Sequence, residues 1–134
     1  MIYIELNNPY QKYKELSINT LTPEELLIFT YEELALDINR AIISINKKNL
    51  ADAHTFITKA EKIVMYLIDI LDIKYPISTK LLQIYEYIYL QLIYANTYKN
   101  EETLTQILSI VTDMKATWQQ AEKEIRQKSH NGRV

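Results

Sequence analysis

Apolar residues recur along this chain with the period of an α-helix in four long segments. Within each segment they are spaced by alternating steps of four and three positions, which places them on one face of a helix. The four faces are Leu27, Tyr31, Leu34, Ile38, Ala41 and Ile45; Ala53, Ile57, Ala60, Val64, Leu67 and Leu71; Leu81, Tyr85, Ile88, Leu92 and Ala95; and Leu104, Ile107, Val111, Met114, Trp118, Ala121 and Ile125. The pattern predicts four amphipathic helices, each about 20 to 26 residues or roughly 30 to 39 Å long.

Short polar connections separate the segments, so we expect an all-α fold, an antiparallel up-down four-helix bundle. The first helix has a clear start signal: Thr22 is a capping residue, Pro23 suits the first turn, and Glu25 completes a capping box. The sequence thus predicts a single bundle domain over residues 1–126, with a short N-terminal capping segment over 1–21. The polar stretch from residue 127 to 134 has no apolar face, and we expect a flexible tail there.

The third segment carries more apolar residues than one buried face needs. Ile84, Tyr87, Tyr94 and Tyr98 form a second stripe about a quarter turn from the first. Five of the eleven tyrosines of the chain lie on this helix. Neighbouring helices and the tolerance of tyrosine for water could account for the excess. We favour a partner-binding groove, because tyrosine supplies a large contact area at low entropic cost.

Composition excludes several classes of function. The chain has 15 basic and 17 acidic residues, so it has no positive field that would attract nucleic acid. It has no cysteine, and its longest apolar runs are too short and too interrupted by aspartate to insert in a membrane. The N-terminus lacks the pattern of a secretory signal, and we expect a cytoplasmic protein.

No catalytic or metal-binding constellation is recognisable. The two histidines, His54 and His130, stand outside any Glu-x-x-His pair, and a single glycine cannot form a phosphate-binding loop. The adjacent glutamate pairs are best explained as solvated residues, two of them at helix starts where the helix dipole favours acids. We therefore expect no enzyme, no cofactor and no metal.

Several stretches together resemble the flagellar secretion chaperone family FliS. They are NPYQKYKE, TPEELLIFTYEELA, LDI, QIYEYIYLQLIYAN and TDMKATWQQA, in this order between residues 8 and 126. The resemblance implies a cytoplasmic four-helix bundle that binds the disordered C-terminal segment of flagellin, prevents its early polymerisation and delivers it to the export gate. Other flagellar regulators are further implied partners.

The resemblance also implies that an N-terminal segment lies on the groove when no cargo is bound. Tyr10 and Tyr13 would then anchor a displaceable lid, and the simpler alternative is a permanent capping turn at one end of the bundle. Two places depart from the family pattern, Glu32-Glu33 and the stretch 73–76, so close backbone contact is not expected there. A different hypothesis is a structural module that forms a homodimer through the stripe and binds no cargo.

Overall fold

The computed structural model describes residues 20–131, and these form an all-α bundle of four helices. The helices are α1 (Pro23–Asn46), α2 (Leu50–Asp69), α3 (Pro76–Tyr98) and α4 (Glu101–Asn131). Contacts join α1 to α2, α2 to α3, α3 to α4 and α4 back to α1. Each helix thus packs against two neighbours, with α1 and α3 on one diagonal, and the short connections make successive helices antiparallel. The predicted fold class is confirmed.

The start of α1 has the predicted capping box. The Thr22 hydroxyl accepts a hydrogen bond from the Glu25 amide at 3.1 Å, and a Glu25 carboxylate oxygen accepts one from the Thr22 amide at 3.2 Å. These bonds satisfy two amides that the first helical turn leaves without partners. The bond from the Thr22 backbone is also the main reason why the pKa of Glu25 is lowered.

The α1–α2 and α3–α4 turns, at one end of the bundle, share one design. A lysine with left-handed backbone geometry, Lys48 (φ 60°) or Lys99 (φ 50°), precedes an asparagine that caps the next helix. The Asn49 side chain accepts from the Asp52 amide at 3.1 Å, and the Asn100 side chain accepts from the Thr103 amide at 2.9 Å. This K-N pair makes a tight helix-to-helix turn without glycine.

The core consists of the predicted apolar faces. The fully packed residues are Tyr31, Leu34, Ile38 and Ala41 of α1; Ile57, Ala60, Val64 and Leu67 of α2; Tyr85, Ile88, Leu92 and Ala95 of α3; and Leu104, Ile107 and Val111 of α4. Trp118 and Met114 are partly buried against this cluster. Within residues 20–131, every buried side-chain nitrogen or oxygen has a hydrogen-bond partner.

The fourth helix differs from the prediction at its C-terminal end. Helix α4 continues to Asn131, whereas the sequence pattern predicted a helix that ends near residue 126. Ile125, predicted to face the core, is 53% exposed. The reason is length, because α4 has 31 residues and α1 has 24, so the last turns of α4 extend past the helices that could cover them. Flexibility of the tail stays a prediction, and residues 132–134 lie outside the described part of the chain.

Candidate partner-binding surface on the third helix

The outer surface of α3 exposes large apolar side chains on a helix whose inner face is fully packed. We use "α3 stripe" for Ile84, Tyr87, Tyr94 and Tyr98. Their exposed fractions are 36%, 50%, 46% and 68% respectively. About a quarter turn around the helix, the inner face is buried and consists of Tyr85, Ile88, Leu92 and Ala95. The two apolar faces that the sequence predicted on this helix are therefore one core face and one solvent-facing face.

The stripe lies on the side of α3 that points away from α2. Asn96 marks the α2 side, since its side chain hydrogen-bonds to His54 of α2. At 100° per residue, Tyr87 and Tyr94 are about half a turn around the helix from Asn96. The stripe consequently borders the furrow between α3 and α4, the other neighbour of α3.

The α4 wall of this furrow is identified by the same helical periodicity. Gln119, Lys123 and Arg126 line a cleft with α1 on the opposite side of α4. The positions half a turn around from them are Gln106, Ile110, Asp113 and Thr117. Ile110 is half-buried against the core, and the other three side chains are exposed. The furrow thus has apolar residues along the α3 edge and mostly uncharged polar residues along the α4 edge.

Two of the stripe tyrosines pack against each other. The ring centroids of Tyr94 and Tyr98 are 4.9 Å apart with an angle of 51° between the rings. This tilted arrangement is one that aromatic pairs prefer, and the contact restricts both rings. Because the tyrosines are held on a helix, the surface is preorganised and does not need to fold when a partner arrives.

Sequence reasoning missed part of the exposed apolar surface. Leu90 is 63% exposed and Ile93 is 39% exposed, and neither belongs to the two apolar stripes that the sequence predicted on this helix. By periodicity Leu90 lies on the side of α3 that carries Glu86 and Thr97. A count of apolar residues around the full circumference of α3 would have found it, because Leu90 has no place on the core face.

A second exposed apolar group occupies the α2–α3 connection at the opposite end from the K-N turns. Its members are Ile70, Ile73, Tyr75 and Ile77. Hydrogen bonds hold this loop, with the Asp72 side chain accepting from the Lys74 amide at 3.0 Å and the Asp72 carbonyl accepting from the Ser78 hydroxyl at 2.6 Å. The loop is structured, and its apolar side chains point outward.

The proposed lid residues Tyr10 and Tyr13 lie outside the described residues. The described chain begins next to the start of α1, where Leu21 lines the cleft between α1 and α4 together with Ile28 and Phe29. The role of Tyr10 and Tyr13 therefore stays a prediction.

The ionisable groups on the inside of the bundle are few, and they lie away from the α3 stripe. Asp37 of α1 is buried, 3.6 Å from the Arg40 guanidinium. Burial raises the pKa of Asp37 to about 6, against the opposing effects of Lys59 of α2 and Arg40, while Glu33 adds to the rise. Arg40 and Lys59 also lie on the ring of Phe56, 5.8 and 5.5 Å from its centroid. This cluster ties α1 to α2 and has no access to the furrow.

The described residues contain no group of three or more histidine, cysteine or carboxylate side chains that could hold a metal. None of the helices in residues 20–131 is both long enough and apolar enough to cross a membrane. His54 is exposed, and its side chain is hydrogen-bonded to Asn96.

Comparison with known proteins agrees with these features. The chain is 29% identical over 125 residues to the flagellar secretion chaperone FliS of Bacillus subtilis (strain 168), covering 93% of this chain and 94% of that protein. The fold matches a crystal structure of a bacterial flagellar chaperone with a TM-score of 0.72 at 22% identity, over 86% of this chain and 95% of the other. The family described as flagellar protein FliS matches residues 6–125, nearly the whole chain. The protein therefore belongs to the FliS family.

Proposed function

We propose that this protein is a cytoplasmic chaperone for flagellar secretion that binds the C-terminal segment of flagellin on the α3 stripe. The observation that carries the proposal is the exposure of Ile84, Tyr87, Tyr94 and Tyr98 on a helix whose core face is already complete. A contiguous exposed apolar surface on a well-packed protein marks an interaction site. The family membership indicates a flagellar partner.

The mechanism we propose is sequestration. A filament subunit that has not assembled exposes apolar helical faces, and these faces would cause polymerisation in the cell. An amphipathic segment laid along the α3 stripe buries such a face, as in helix-in-groove recognition. The bound subunit is kept apart from other subunits until it is delivered to the export apparatus.

Release follows from the energetics of binding a disordered segment. Ordering the cargo costs several kcal/mol of the gross interaction energy, which limits the affinity for the area buried. A chaperone must let go of its cargo at the export gate, so a limited affinity serves the function. We propose no nucleotide or cofactor in this cycle.

The N-terminal segment is proposed as a competitor for the same surface. Tyr10 and Tyr13 would occupy part of the stripe until cargo displaces them. Such a lid lowers the apparent affinity for cargo, because only the molecules in which the surface is uncovered can bind. It would also shield apolar surface in the absence of cargo.

Titration of a flagellin C-terminal peptide into the protein by calorimetry tests the proposal. We expect saturable binding with a negative heat-capacity change, which is the signature of apolar burial. In a parallel assay, the protein should delay polymerisation of full-length flagellin. Absence of peptide binding would refute the proposed function.

The same exposed stripe supports one other function, a homodimer without cargo. Self-association and cargo binding would then use one surface. Light scattering with and without the flagellin peptide separates the two: cargo binding predicts that peptide dissociates any dimer, whereas a structural dimer predicts a mass that peptide does not change.

A further inference from the structure

A cleft between α1 and α4 lies at the end of the bundle where the described chain begins. Its volume is about 480 Å³, and three half-buried apolar residues, Leu21, Ile28 and Phe29, line it. The cleft runs along the flank of α4 that faces α1, about half a turn around α4 from the furrow beside the α3 stripe. The α1–α4 cleft is thus separate from the surface proposed for cargo, and α4 lies between the two.

Three of the charged residues around the cleft already have partners. Arg126 and Glu122 form an ion pair of 2.6 Å, and the Glu25 carboxylate belongs to the capping box of α1. The other two charged residues, Glu32 and Lys123, are exposed and stay in water. A charged ligand would compete with these contacts, whereas apolar side chains would leave them intact and cover the apolar lining. The cleft therefore suits an apolar occupant.

The apolar lining of the cleft continues along α1. Leu36 lies seven residues after Phe29, on nearly the same face of the helix, and it is 39% exposed. Seven helical residues span about 10 Å. Phe29 and Leu36 thus offer contacts for two apolar side chains that follow one another along the helix.

The apolar side chains best placed to fill the cleft belong to the chain itself. Residues 1–19 precede the described part of the chain, and Leu21, two residues further on, already lines the cleft. Counting back from Leu21, the first large apolar residues are Ile18 and Leu16. In an extended chain these two side chains point to the same side, about 7 Å apart, and Ile18 lies within about 10 Å of Leu21.

We propose that the α1–α4 cleft binds the N-terminal segment of the same chain, with Ile18 against Phe29 and Leu16 next along the row towards Leu36. The inference goes beyond the proposed function, because it assigns a surface that is not the one proposed for cargo. The tether to Leu21 makes the contact intramolecular, so its effective concentration is high and a small apolar contact suffices.

An anchor in the cleft determines which part of the segment can act as a lid. Tyr13 and Tyr10 lie five and eight residues before Ile18, a reach of up to roughly 17 and 26 Å. A helix with its side chains is about 10 to 12 Å wide, so the tyrosines can cross α4 and reach the α3 stripe while Ile18 stays in the cleft. The segment then has a fixed part, residues 16–21, and a displaceable part that carries the two tyrosines.

Disulfide trapping in the full chain tests this contact, and the chain has no cysteine of its own to interfere. The test pair is Ile18→Cys with Gln119→Cys, because Gln119 lines the cleft. The control pair is Ile18→Cys with Thr117→Cys, because Thr117 is exposed, two residues away, and about half a turn around α4. A disulfide requires Cα atoms within about 7 Å. We expect the test pair to form an intramolecular disulfide at least about tenfold faster than the control pair.

Other occupants of the cleft give different results in the same experiment. Equal rates for the two cysteine pairs would show that the segment has no preferred position, and would overturn the inference. Disulfide-linked dimers whose yield rises with protein concentration would place a second copy in the cleft, with the same consequence. A test-pair disulfide that flagellin C-terminal peptide suppresses would make the cleft a cargo site and would also overturn the inference.

Four single variants of the full chain provide an independent test. Leu16→Ser and Ile18→Ser remove the proposed anchor, whereas Ile2→Ser and Ile4→Ser make the same kind of change earlier in the segment. We expect the first two variants to lower the thermal midpoint by roughly 3 °C or more, and the two controls to leave it unchanged. Equal midpoints in all four variants would overturn the inference.

Peptide binding separates the failure of this inference from the failure of the proposed function. The flagellin peptide is titrated into the parent and into the protein with the disulfide between positions 18 and 119. Binding by both proteins supports both proposals. Binding by the parent, together with equal trapping of the two cysteine pairs, would refute the anchor and keep the function. Specific trapping at position 119 without peptide binding would keep the anchor and refute flagellin as cargo.

Discussion

The hydroxyl groups of Tyr31 and Tyr85 form a hydrogen bond of 2.5 Å inside the core. It joins α1 to α3 across the diagonal of the bundle, and their ring centroids are 6.4 Å apart. Trp118 of α4 packs against Tyr31, with the two ring centroids 6.5 Å apart. Burial raises the pKa of both tyrosines, so the pair stays protonated well into the alkaline range. The Tyr31 side chain thus connects α1 with α3 by a hydrogen bond and with α4 by a ring contact.

This arrangement predicts that Tyr31→Phe and Tyr85→Phe each destabilise the fold. Loss of either hydroxyl leaves the other buried hydroxyl without its partner, at about 1 to 3 kcal/mol. Urea unfolding followed by the fluorescence of Trp118 measures both free energies. The double variant should lose less free energy of unfolding than the two single variants lose together, because the two hydroxyls are partners. Losses that add in the double variant would show that the hydrogen bond contributes little.

The second prediction concerns Asp37 and pH. Its pKa is about 6 in the folded protein, against 3.8 ordinarily, so the unfolded chain releases this proton first as pH rises. The stabilisation due to the protonated carboxyl is therefore complete below about pH 4 and is lost by about pH 6. Asp37→Asn should raise the free energy of unfolding at pH 7 by about 1 to 3 kcal/mol and flatten its pH dependence between pH 4 and 6.

The control for Asp37→Asn is Asp113→Asn, at an exposed position. It should leave both the stability and the pH profile nearly unchanged. An Asp37→Asn variant that is less stable at pH 7 than the parent would mean that the contacts with Arg40 and Lys59 outweigh the cost of burying the carboxylate.

The third prediction uses the left-handed lysines of the two K-N turns. Lys48→Gly should stabilise the protein by about 0.5 to 1 kcal/mol, because glycine adopts φ near 60° without steric cost. Lys47→Gly is the matched control: Lys47 has φ of −87°, and glycine there only adds entropy to the unfolded chain. Lys99→Gly should gain less than Lys48→Gly, since it loses the hydrogen bonds from Lys99 Nζ to Asn96. Thermal unfolding ranks the three variants, and a destabilised Lys48→Gly would contradict the prediction.

The core was predictable because the four heptad-like patterns are regular, and a period of 3.6 decides which face is buried. Thr22 and Glu25 likewise formed the expected capping box, a signal that depends only on local spacing. The exposure of Leu90 and the end of α4 could not be predicted in this way. They depend on which neighbouring helix covers which surface and on the relative lengths of the helices, and both are tertiary properties. The sequence pattern predicted the α3 stripe itself. Its position beside α4 could be assigned only from the structure, because the contact between His54 and Asn96 shows which side of α3 faces α2.

The fourth prediction tests the N-terminal lid. Deletion of residues 1–15 removes Tyr10 and Tyr13 and keeps the Thr22 cap, so the bundle should stay folded. If the segment competes with cargo, the truncated protein should bind the flagellin peptide about tenfold more tightly, because no lid has to be displaced. Calorimetry on both proteins measures the difference. Unchanged or weaker binding, with a destabilised bundle, would indicate a permanent cap.

The central claim is that the α3 stripe binds cargo and is not needed for folding. The most direct measurement compares the Kd for flagellin C-terminal peptide and the thermal midpoint of Tyr87→Ala/Tyr94→Ala with those of the parent. The control is Tyr75→Ala, which removes an exposed tyrosine outside the stripe. We predict that the double variant loses about 1 kcal/mol or more of binding free energy with a nearly unchanged midpoint, and that the control binds normally. A double variant that binds like the parent, or that unfolds, would contradict the claim.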